Sequence, residues 1–150
     1  MLEPDGEYLT NVWRNHVYPL ARKMNMDLKL PPVQPRSRLA HEAAKWAGTK
    51  NRQHEYNLAL FKAFFSDGHD IGNTDVLAGL AADLGLDPND LQNALEENRF
   101  TRDVIADESE ARRIGVHAVP AFAVNGMVIA SGVQTVERLQ SLMNIQPMHG

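Results

Sequence analysis

The feature that most constrains this chain is a change of hydrophobic period that arrives late. Up to about residue 114 the apolar residues recur at intervals of three and four. Beyond it, "AFAV" and "MVIA" alternate on either side of Asn125-Gly126. Asn-Gly between two short apolar runs is the strongest two-residue hairpin signal. A lone two-stranded hairpin is marginal in water, and its outer edges carry unpaired N–H and C=O groups. Either another chain supplies strands to it, or a helix shields its edge.

Helices fill what comes before. Leu9, Val12, Trp13, His16, Val17 and Leu20 form one apolar face, and Pro19 predicts a bend or break near Tyr18. "LKLPPVQPRS" reads as an extended connector. Ser37 is placed to cap a second helix, "RLAHEAAKWAG", with His41 as a packed or half-buried residue on it. "NRQHEYNLALFKAFFSDG" is the third helix, with Tyr56, Leu60, Phe61, Phe64 and Phe65 on an aromatic core face. Asn73 or Thr74 opens the fourth. Asp87 caps the fifth, with Pro88 in the first helical position and Asp90 in the positive first turn. A sixth ends at Gly115, and a last helix covers about Val136 to Met143. Trp13 and Trp46 are core or interface anchors, and Met24, Met26, Met127 and Met143 are gap-fillers.

Composition excludes several functions. With 15 basic against 19 acidic residues, the balance argues against nucleic-acid binding. No window approaches the roughly 18 apolar residues of a membrane span, and "MLEPDGEY" lacks the basic start of a signal peptide, so a cytoplasmic protein is expected. Cysteine is absent, which removes disulfides, thiolate metal sites and cysteine nucleophiles together. The histidines form no metal-ligand pair. "DGHDIGNTD" departs from the calcium-loop pattern and reads as helix end, turn and next cap, so no metal is expected. Phosphate-binding glycine motifs do not occur, and no cofactor is expected.

Taken in order, "AHEAAKWA", "LFKAFFSDGHDIGNTDVL", "LAADLGLD", "EARRIGVHAVPAFAVNG" and "SGVQTVERL" resemble the DsbA-like thiol–disulfide oxidoreductases. The similarity is to the FrnE-type branch, related to 2-hydroxychromene-2-carboxylate isomerases, and it covers nearly the whole chain. The resemblance implies an α/β fold: an incomplete thioredoxin-like fold, mostly helical, with an inserted helical domain followed by a β-hairpin and C-terminal helix. Residues 1–114 would be the inserted helical region, 115–145 the closing β-β-α, and 146–150 a tail. The family's first β-α-β unit, whose helix bears Cys-x-x-Cys, has no counterpart here. The chain resembles the family with its docking wall and without its nucleophile.

That wall is the loop Ala118, Val119 and Pro120, for which the resemblance implies a cis Val119-Pro120 bond. Proline forms a cis bond at low cost, and the backbone of the preceding residue can then pair with an extended peptide. His117, just before it, is a cleft-lining residue or a solvent-facing loop histidine. No catalytic residue is assigned, because thiol–disulfide exchange needs a thiolate. Three functions follow: a redox-inactive binding or assembly module, or a fragment of a longer oxidoreductase; a glutathione-dependent isomerase; and a structural homo-oligomer. The expected partners are a peptide or small thiol ligand at Val119-Pro120 and a second copy of the chain, in the simplest case as a dimer.

Overall fold

Alanine is what brings the helices together. In α3 (Arg38–Gly48), Ala40, Ala43, Ala44 and Ala47 recur at three and four and are all buried. A stripe without side chains beyond Cβ lets neighbouring helices approach closely, and larger groups fill the space between. Those groups are Tyr56 and Leu60 of α4 (Gln53–Phe65), Leu77 of α5 (Thr74–Asp83), and Leu91 and Leu95 of α6 (Pro88–Glu96). Tyr56 is fully buried, and its hydroxyl donates to the Leu77 carbonyl at 2.8 Å. Burial pushes that hydroxyl's pKa far up, so it remains a donor at any physiological pH.

The computed structural model describes residues 7–30, 36–117 and 119–145. The prolines of the expected connector, Pro31, Pro32 and Pro35, lie outside them. Ahead of the core helices stand α1 (Glu7–Val12) and α2 (Tyr18–Lys23), and after them come α7 (Thr101–Arg113), β1 (Ala121–Val124), β2 (Met127–Ser131) and α8 (Val136–Ile145). The architecture is therefore mostly helical α/β, with a two-stranded antiparallel sheet. The chain divides into two compact units, one up to Val104 and one from Ile105. Among the described residues, no helix is long and apolar enough to cross a membrane.

Two polar interactions tie the first unit across long stretches of sequence. The Trp46 indole N–H donates to Asp90 Oδ2 at 2.8 Å, and Lys50 and Arg99 each place a cationic nitrogen 3.5 Å from the same carboxylate. The indole hydrogen bond, and then the cations, hold the Asp90 carboxyl below its ordinary value. Glu42 is the one buried charged residue among those described, at 2% exposure. Its Oε1 accepts from Thr101 Oγ1 at 2.7 Å.

Several expectations need correction. Pro19 does not break the first helix. It has no N–H to donate to Asn15, and the chain answers by widening to a π-helix over Trp13–Val17. Tyr18 then donates to the Trp13 carbonyl, five residues back, and α2 continues. Ser37 stands at the cap position of α3, but its backbone is already near-helical (φ −88°, ψ −6°) and its side chain makes no capping bond. His41 is exposed rather than half-buried, and Phe61 is 58% exposed rather than core. Met24, Met26, Met127 and Met143 are likewise exposed and fill no gap. By contrast Asn73 Oδ1 caps α5, and Asp87 Oδ1 caps α6 by accepting from Asn89 and Asp90.

Replacing Thr101 with valine strands the buried Glu42 carboxylate and should destabilise the chain by about 1–3 kcal/mol, measured by urea unfolding. Asp90 adds a pH dependence. Its folded pKa lies below the ordinary 3.8, so its contribution is present above that value and disappears as pH falls through the lowered one. Thermal melts across this acid range should show a steeper loss for the native chain than for Asp90→Asn.

Candidate functional site

The second unit has a short run of local causes. Gly115 (φ +93°) ends α7 in a conformation that disfavours a Cβ. Val116 and His117 follow, and Asn125 (φ +52°) with Gly126 (φ +77°) then forms a type I′ turn between β1 and β2. The strand pairs are Val124 with Met127, Ala123 with Val128, Phe122 with Ala130, and Ala121 with Ser131. Ile129 is left over, a bulge on β2 that the alternating sequence did not reveal. Gly132 N–H donates to the Pro120 carbonyl at 2.7 Å and carries the ladder one step past the strands. Gln134 Nε2 donates to the Ser131 carbonyl at 3.1 Å, and Thr135 Oγ1 accepts from Arg138 N–H to open α8.

The ladder determines which groups remain free. In a two-residue hairpin the residues flanking the turn form a hydrogen-bonded pair, and bonded and non-bonded pairs alternate from there. Val124 and Phe122 therefore face β2, whereas Ala123 and Ala121 turn their N–H and C=O outward. Among the described residues only β2 pairs with β1. Of the docking residues expected from sequence, Val119 is 85% exposed, and the Val119–Pro120 bond is cis. Among the described residues, nothing hydrogen-bonds to the Val119 N–H or C=O. Ala118 lies outside the described residues. His117 is exposed, with no side-chain hydrogen bond or ion pair to another described residue.

Two further properties set this segment apart. From Ile105 onward no described residue is buried. From Ile114 to Val136 the sequence contains no Asp, Glu, Lys or Arg. Strand edges exposed to water are usually defended by charge, proline or a bulge. Here the bulge lies on β2, and β1 carries no defence along its own four residues.

Elsewhere, the first unit has an apolar groove of about 420 Å³ lined by Met26, Leu28, Phe61, Lys62 and Phe65. A smaller hollow of about 290 Å³ includes His41, Asn57 and Phe64. Phe61 lines both hollows and His41 the smaller one, positions that the sequence did not reveal. No cluster of potential metal ligands occurs among the described residues.

A family model described as "DSBA-like thioredoxin domain" matches residues 10–144. The chain is also 32% identical over 142 residues to "Uncharacterized protein YwbO" of Bacillus subtilis (strain 168), an alignment covering 91% of this chain and 69% of that relative.

The turn offers a direct check of the hairpin. A Cβ at Gly126 would meet nothing within 4 Å, so a substitution there strains the backbone alone. Gly126→Val should weaken the hairpin by about 1–2 kcal/mol, seen as faster amide exchange at Phe122 and Val124.

Proposed function

Because this chain belongs to the DSBA-like thioredoxin domain family, we propose that it supplies that family's peptide-docking edge without its attacking thiol. The carrying observation is the free edge of β1, where Ala121 and Ala123 present unpaired backbone groups and exposed Val119 precedes them. An extended polypeptide can add to such an edge as a further strand, with main-chain hydrogen bonds supplying the affinity. The neutral stretch around it suits an uncharged segment.

Thiol–disulfide exchange proceeds by attack of a thiolate, and these 150 residues contain no cysteine. His117 cannot replace a thiolate in that step, since it offers no sulfur to form the mixed disulfide. On this reading the chain positions an extended segment, and any exchange chemistry on that segment is carried by thiols from another source.

The pure chain should leave the rate of insulin reduction by dithiothreitol unchanged. A labelled, uncharged extended peptide should gain fluorescence anisotropy with the chain. Ala123→Pro, which removes one outward N–H without touching the bonds to β2, should weaken that binding about fivefold. Accelerated insulin reduction, or peptide binding indifferent to Ala123→Pro, would falsify the reading.

A further inference from the structure

We propose that the occupant of the β1 edge is the same edge of a second copy of this chain, forming a four-stranded antiparallel sheet across a two-fold axis at Phe122. The inference rests on β1 being a docking edge and names its partner.

Parity supports the pairing. A two-fold axis relates a strand to itself antiparallel, and each residue then meets the one equally far on the other side of the axis. With the axis at Phe122, Ala121 meets Ala123 of the twin, and Ala123 meets the twin's Ala121. These are the two residues whose N–H and C=O face outward, and antiparallel pairing joins outward-facing residues as hydrogen-bonded pairs. Phe122 meets its own twin in a non-hydrogen-bonded pair, where side chains come closest. Pro120 falls opposite Val124 of the twin. Proline has no N–H, and none is needed, because at that position both residues direct their backbone toward β2. An axis between two residues would set inward-facing groups against outward-facing ones and lose the bonds, and an axis at Ala121 or Ala123 would pair the other outward-facing residue with a position beyond the strand.

Charge and burial agree with a twin. Like charges opposite one another usually penalise self-pairing, and Ile114 to Val136 carries none. The second unit buries no described residue, so its apolar strands gain from any face that covers them. The bulge on β2 twists that edge away from regular pairing and leaves β1 as the edge to extend. Only four residues pair from each copy, so association is expected to be weak and concentration-dependent.

A chain without cysteine makes this register measurable. In a non-hydrogen-bonded antiparallel pair, Cα atoms lie about 4.5 Å apart, within disulfide range. Phe122→Cys, oxidised by glutathione disulfide, should form a covalent dimer. Ala123→Cys should not, since its twin cysteine sits two residues away along the strand, beyond the roughly 7 Å limit. Sedimentation of the native chain should show dimer growing with concentration, and Ala123→Pro should weaken dimerisation tenfold or more. Helical circular dichroism confirms that each variant is folded, and retained signal is expected because the core helices lie in the other unit. Equal cross-linking of both cysteine variants, cross-linking of neither, or a native chain that stays monomeric overturns the twin pairing. If in that case the labelled peptide still binds and Ala123→Pro still weakens it, the docking reading stands and only the choice of partner fails.

Discussion

Each backbone N–H and C=O removed from water has to find a partner, and that constraint separates the two halves of this chain. A helix meets the requirement within itself. The first unit therefore closes its accounts locally, with caps at Asn73 and Asp87 and a π-turn where Pro19 withdraws its donor. A two-stranded hairpin cannot do so. It satisfies one side of each strand and leaves the other open, whatever the residues at its turn. Among the described residues the family's fold appears here as a helical body with a packed core and a two-stranded sheet whose β1 pairs on one side only.

Side-chain packing follows the same division. Alanines on α3 allow Tyr56, Leu77 and Leu91 to fill a continuous core. Two polar links, Trp46 to Asp90 and Thr101 to Glu42, then lock helices that are 44 and 59 residues apart in sequence. No buried side chain occurs among the described residues from Ile105 onward. The first unit holds every described residue that is buried, and the second has an unpaired strand edge and no buried described residue. An added strand would repair both deficits, because hydrogen bonding along β1 and burial of its neutral faces come from the same event.

Absence of cysteine sharpens the chemical conclusion. Thiol–disulfide exchange needs a thiolate, and this stretch, which matches the DSBA-like thioredoxin domain over residues 10–144, contains no cysteine. Docking and nucleophilic substitution are separable, since the first uses main-chain groups and the second a side chain. A loop such as Val119–Pro120 can keep the first when the second is missing.

Sequence alone determined the features that depend on neighbours within a few residues. The order of helices, a cap at Asn73 or Thr74, the cap at Asp87, the stop at Gly115 and the Asn125-Gly126 turn all follow from local backbone preferences. Tertiary structure decided whatever depends on distant atoms or on competition between local options. Nothing adjacent to Glu42 announces that Thr101 will solvate it, and Asp90 reads as a first-turn residue until Trp46 reaches it. Periodicity placed Phe61 with the core, but a helix face is wider than the neighbours that cover it, so one aromatic remained in water. The bulge at Ile129 was hidden because alternation describes a strand, and register belongs to a pair of them.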